Sequence, residues 1–174
     1  MLKKLWLLSF CGLFACKTAQ GWQDYQSPNK NTAQTDDKGR TVLVGLLERQ
    51  YLEQTPPYSE WMQGEPPQIA IIEAIKAKTE AKNWRFTVFL GTWCGDTRRE
   101  LPRLLQVFDA LGIEPKQYQL IGLDRQKSSP EAWEKEQDIR YVPTILVYYQ
   151  GKYLGRIIEK PKKTLEEDIL KMTE

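Results

Sequence analysis

The sequence predicts an α/β layer fold with a mixed central sheet flanked by helices. Three observations carry this reading. From Phe86 onward the segments run strand, helix, strand, helix, strand, strand, helix. Phe86–Leu90 and Gln119–Leu123 are short apolar runs of the kind buried on both faces of a sheet. Thr144–Tyr149 and Lys152–Ile158, joined by Gln150-Gly151, read as an antiparallel hairpin.

The elements follow in order. Val42–Leu46 is a short apolar run suited to a strand, and Leu47–Gln54 looks helical. Pro56-Pro57 and Gly64-Glu65-Pro66-Pro67 break the chain on either side of Trp61. Gln68–Lys82 carries Ile69, Ile72, Ile75 and Ala77 at helical spacing. Asp96–Leu111 reads as a helix with Leu101, Leu104, Leu105, Phe108 and Leu111 inward, stopped by Gly112. Pro130–Gln137 reads as a short helix with proline in its first turn, and Lys163–Met172 as a closing helix.

Composition narrows the chemistry. The chain has 174 residues, enough for one core, with 25 basic against 23 acidic residues. That balance gives no reason to expect nucleic acid as a partner. There are no histidines, which excludes Ser-His and Cys-His catalytic pairs and imidazole metal sites. Three cysteines, Cys11, Cys16 and Cys94, are too few for an all-cysteine zinc site. No metal and no cofactor are expected.

The first residues read as an address. Lys3 and Lys4 precede an apolar run from Leu5 to Ala15, which is shorter than the ~20 residues needed to span a bilayer. The run ends in Leu13-Phe14-Ala15-Cys16, which resembles the lipobox of bacterial lipoproteins. That resemblance implies a signal peptide over residues 1–15, a lipidated Cys16, and a membrane-anchored protein on the periplasmic side of the cell envelope. The alternative is an ordinary cleaved signal with Cys16 incidental. Removal of residues 1–15 takes away Lys3 and Lys4 and leaves basic and acidic residues equal in number. With Cys16 lipidated, Cys94 is the sole free thiol. Lys17 to Arg40 is polar with few large apolar residues besides Trp22 and Tyr25, so residues 16–40 read as a flexible tether. Residues 41–174 then form the folded domain, with an N-terminal helical extension.

After the Phe86–Leu90 strand comes Gly91-Thr92-Trp93-Cys94-Gly95-Asp96-Thr97, and then the helix. A thiol there faces backbone N–H groups and the positive end of the helix dipole, both of which favour the thiolate. The competing reading is an inert core cysteine. This segment resembles the active-site loop of the thioredoxin superfamily. Pro102 stands where that family kinks its helix, and Tyr141-Val142-Pro143-Thr144 resembles its cis-proline segment. The resemblance covers roughly Phe86 to Met172. It implies a thioredoxin-like three-layer fold, with Cys94 as nucleophile and Trp93 sheltering one side. It also implies Pro143 packed against the thiol, and Val142 and Gly95 lining the substrate path.

Two departures matter. The place of the second cysteine is Thr97, whose hydroxyl is expected to reach Cys94, and the place of the family's buried acid is Val88. Asp96 is a weak candidate base, expected to face solvent. A single thiol points to a monothiol thiol–disulfide oxidoreductase. Its partners would be disulfide- or sulfenic-acid-bearing exported proteins or small thiols, with an external thiol resolving the mixed disulfide. The alternative is a redox-inert binding or assembly lipoprotein of the same fold.

Overall fold

The computed structural model describes residues 21–174, so the address segment, Cys11 and Cys16 lie outside the described residues. Six strands form one mixed sheet: β1 Thr32–Thr35, β2 Thr41–Leu47, β3 Trp84–Leu90, β4 Tyr118–Gly122, β5 Thr144–Tyr149 and β6 Lys152–Ile158. The helices are α1 Arg49–Gln54, α2 Ile69–Lys78, α3 Gly95–Leu111, α4 Trp133–Glu136 and α5 Leu165–Lys171. The sheet order is β1-β2-β4-β3-β5-β6. Among neighbouring strands only β3 and β4 run parallel, and the helical crossover α3 joins them. The β5–β6 hairpin spans the residues expected for it, with left-handed Gln150 and Gly151 at its turn.

Strand alternation divides the core into two layers. Phe86, Val88 and Leu90 of β3, with Ile145 and Val147 of β5, face α1, α2, α3 and α5. Phe89, Leu146 and Tyr148 face the other way, toward Trp133 of α4. The result is the thioredoxin-like arrangement of helices on both sides of a mixed sheet. Among the described residues no helix is long and apolar enough to cross a membrane.

The tether expectation is corrected over its described part. Thr32–Thr35 pairs with β2 as an edge strand, and Tyr25 is buried. The reason is geometric. The four residues of α4 are too short to cover their face of the sheet, so the extended segment from Trp22 to Tyr25 completes that layer. The Gln119 side chain holds it, accepting the Tyr25 N–H at 3.2 Å and donating to the Tyr25 carbonyl at 2.8 Å. The Tyr25 ring lies 4.9 Å from Trp133, and its hydroxyl accepts from Gln137 at 3.1 Å. Aromatic area and one side-chain amide replace the hydrophobic run that composition alone would demand.

Four helices are shorter than expected: α1 starts at Arg49 rather than Leu47, α5 spans Leu165–Lys171 within the expected Lys163–Met172, and α2 and α4 lose the most. The helix read as Gln68–Lys82 ends at Lys78, where Thr79 turns its hydroxyl back onto the Ile75 carbonyl at 2.7 Å. The helix read from Pro130 begins instead at Trp133, because Ala132 is left-handed and Ser129 Oγ accepts the Trp133 N–H.

Candidate functional site

Strand β3 delivers the chain to the site. After Leu90 it turns through Gly91, Thr92 and Trp93, and Cys94 closes the turn by donating its N–H to the Gly91 carbonyl at 2.9 Å. Cys94 is the N-cap of α3, extended at φ −86° and ψ 130°, and its carbonyl accepts the Arg98 N–H at 3.2 Å. Its side chain makes no capping bond. The half-buried sulfur lies instead 3.2 Å from the Val142 carbonyl, to which the thiol donates. Cys94 is the one free cysteine among the described residues.

The turn is tied down on several sides. Thr92 Oγ1 accepts the Leu43 N–H from β2 at 3.2 Å, and Arg98 Nε donates to the Thr92 carbonyl at 3.2 Å. The Trp93 indole donates to the Leu123 carbonyl, just past β4, at 3.0 Å. Gly91 is required beneath that ring: a Cβ there would lie 2.7 Å from it. Pro143 follows a cis peptide bond, and its carbonyl accepts the Glu159 N–H at 2.7 Å. Trp93, Cys94, Val142 and Pro143, separate in sequence, therefore meet at one edge. Gly95 opens α3, and nothing lies within 4 Å of where its Cβ would be, so that side is open to a reactant.

Thr97 departs from expectation. It is fully buried, and its Oγ1 accepts the Gly91 N–H at 3.3 Å. No hydrogen bond joins it to the Cys94 sulfur among the described residues. The turn's own backbone N–H lies closer to hand and takes the hydroxyl. Asp96 is half-exposed as expected but occupied by Arg99 at 2.6 Å, and the same guanidinium pairs with Glu100 at 2.6 Å. Val88 is packed in the apolar layer, so no carboxyl stands at that position.

Sequence reading missed Thr92, Arg98 and Arg125. Arg125 lies two residues beyond Leu123, off the carboxyl end of a parallel strand, where open α/β sheets place functional groups; that position was the available signal. A cavity of about 570 Å³ is lined by Tyr25, Leu47, Tyr118 and Leu120 at the opposite end of β4 from the thiol. A polar recess of about 460 Å³ runs beside the start of α3, between Asp96, Arg99 and Arg103 on one wall and Glu159, Lys160 and Lys163 on the other. Among the described residues no cluster of acidic or cysteine side chains is placed to hold a metal ion.

No family model matches the chain, and no curated protein matches its sequence. Solved structures with a similar fold include a protein of unknown function from Pseudomonas aeruginosa. It is 17% identical, with a TM-score of 0.46 over 71% of this chain and 76% of that one. A 1-Cys peroxiredoxin of yeast mitochondria is 20% identical, with a TM-score of 0.31 over 55% and 81%. A point mutant of thioredoxin from Halobacterium salinarum is 16% identical, with a TM-score of 0.37 over 64% and 90%. Likeness this distant carries no chemistry, and what the site can do rests on its own residues. A half-buried thiol at a helix start with one open flank can form a mixed disulfide, and no second thiol stands beside it among the described residues.

Proposed function

We propose that the protein is a monothiol thiol–disulfide oxidoreductase of the cell envelope, anchored by lipid on Cys16. The observation that carries the reading is the meeting of Cys94, Val142 and Pro143 at the start of α3, with buried Thr97 where a second thiol would stand. The Cys94 thiolate attacks one sulfur of an external disulfide; the new S–S bond joins Cys94 to that sulfur, and the other sulfur leaves as thiolate. With a sulfenic acid, the same thiol forms the mixed disulfide and water is released. A second external thiol then attacks the mixed disulfide, forms its own bond to the substrate sulfur, and returns Cys94 as thiolate. The partners are exported proteins or small thiols bearing such groups. Neither metal nor cofactor enters the cycle.

The test is to challenge wild type and Cys94→Ser with a small disulfide and follow adducts by mass and non-reducing gel. A Cys94-dependent adduct that persists until a thiol is added is the expected result. A folded, reduced wild type that forms none sinks the oxidoreductase reading and leaves the redox-inert binding lipoprotein. The anchor is tested separately: Cys16→Ser should free the protein from the membrane fraction or block its processing, and unchanged membrane association and processing reject the lipid.

A further inference from the structure

Trp93 is the side chain next to the thiol, and it is held by more than its own loop. Arg125 places its guanidinium 5.2 Å from the Trp93 ring centroid, within cation–π range. Arg125 is itself gripped by Asp36, to whose Oδ2 its Nε donates. Asp36 begins the turn between β1 and β2 and its side chain is only 4% exposed. Its Oδ1 accepts the backbone N–H groups of Lys38 at 2.9 Å and Arg40 at 2.8 Å, and its Oδ2 also takes Arg40 Nε at 2.9 Å. A buried carboxylate with that many donors stays charged and stays put.

We propose that Arg125 is a positioning residue for the Cys94 site, held in place by Asp36 of the N-terminal hairpin and acting through Trp93. The inference rests on the reading of Cys94 as a nucleophile. Three restraints converge on the Trp93 ring: the bare backbone of Gly91, the Leu123 carbonyl and the Arg125 guanidinium. Arg125 is the one of the three contributed by a side chain, and the one that links the ring to residues that composition assigned to a tether. Without it the indole keeps its hydrogen bond but loses the cation over its ring, and the wall beside Cys94 loosens.

The test uses the full chain and bis(2-hydroxyethyl) disulfide, whose lack of charge prevents Arg125 from steering it. Arg125→Met should slow the Cys94-dependent exchange about three- to tenfold, the range a partly desolvated cation–π contact supports. Trp93→Phe should slow it as well, and Arg125→Met should add nothing on that background. Asp36→Asn should reproduce part of the loss. Arg125→Lys, which retains charge without the planar fork, should recover less than half of it. The second readout is the Trp93 indole N–H resonance, assigned by its absence in Trp93→Phe; it should shift and exchange faster in Arg125→Met and Asp36→Asn. Arg125→Met reacting at the wild-type rate overturns the inference. So does an Arg125→Met effect that persists undiminished on Trp93→Phe, which would mean that the guanidinium acts on the thiol directly. If wild type shows no Cys94-dependent reaction, the oxidoreductase reading fails. The indole resonance then decides the positioning alone: moved in both variants it stands, unmoved it falls.

Discussion

Thr97 Oγ1 accepts the backbone N–H of Gly91 at 3.3 Å, with both residues buried. The Thr97 side chain therefore closes the turn that presents Cys94. It is bonded to the backbone on the strand side of Cys94, and the turn is built around it.

Two substitutions separate the parts Thr97 plays. Thr97→Val keeps the shape but strands the Gly91 N–H without an acceptor, which should cost about 1–3 kcal/mol of stability. Thr97→Ser keeps the acceptor and should lose less. Urea unfolding followed by circular dichroism measures both, and equal stability of the valine variant and wild type removes the bond from the account. Thr97→Cys should behave differently again. It supplies a resolving thiol at high effective concentration, so the mixed disulfide on Cys94 should shorten in lifetime and net dithiol reductase activity should appear. Wild type turning over disulfides as fast as this variant, without an added thiol, contradicts the external resolving step.

Gly91→Ala tests the seat of Trp93. The added methyl would lie 2.7 Å from one ring atom and 2.8 Å from another, so the ring or the turn must move. The overpacking should lower stability by about 1–3 kcal/mol. Truncating the ring removes the clash, so Gly91→Ala should cost far less on a Trp93→Ala background than on wild type. Additive costs in the urea midpoints would show that the turn backbone, not the ring, is what glycine protects.

The parts of the fold set by hydrophobic pattern were legible in the sequence: β3, α3, β4 and the β5–β6 hairpin, with Cys94 at the strand-to-helix turn. The parts set by single polar contacts were not. Residues 21–40 looked like a tether because composition cannot register Gln119 pairing with the Tyr25 backbone or Asp36 gathering two arginines. Thr97 was read toward the thiol because the sequence shows which residues are near one another along the chain, not which backbone N–H lacks a partner. Strand β1 carries no apolar alternation at all; it exists because β2 offers it a free edge.

Tyr148 makes a prediction at alkaline pH. It lies in the layer facing α4, 5.5 Å from the Tyr153 ring, and is almost fully buried. Burial pushes its phenol up to about 12, with Tyr25 and Tyr153 adding to the rise and Arg156 opposing it. The unfolded chain releases this proton near the ordinary value of 10.0, the folded chain near 12. The unfolded state therefore binds fewer protons in that interval, and stability falls as pH rises through it. Tyr148→Phe should flatten this alkaline limb in urea titrations run at successive pH values. A limb of unchanged steepness assigns the loss to other groups.

Asp36 makes the opposite prediction in acid. Burial alone would raise its carboxyl, but the Arg40 N–H, the Arg125 guanidinium, the Lys38 N–H and the Arg40 side chain outweigh it and hold the group well below the ordinary value of 3.8. The unfolded chain takes up a proton as pH drops through that value while the folded chain still refuses it. The stabilisation is thus complete above the ordinary aspartate range and is lost as pH falls through the depressed folded value. Asp36→Asn should be less stable than wild type by a constant margin from neutrality down to about pH 4, after which the margin should narrow. Because the folded chain keeps this carboxylate charged through that interval, Asp36 goes on holding Arg125 over Trp93, and the Trp93 indole resonance of folded wild type should keep its neutral-pH position there while that of Asp36→Asn stays displaced. A margin that stays constant down to about pH 2 would mean that this carboxylate is not a source of acid lability, and an indole resonance that already moves toward that of Asp36→Asn above that pH would mean that the folded carboxylate is not held charged by its donors.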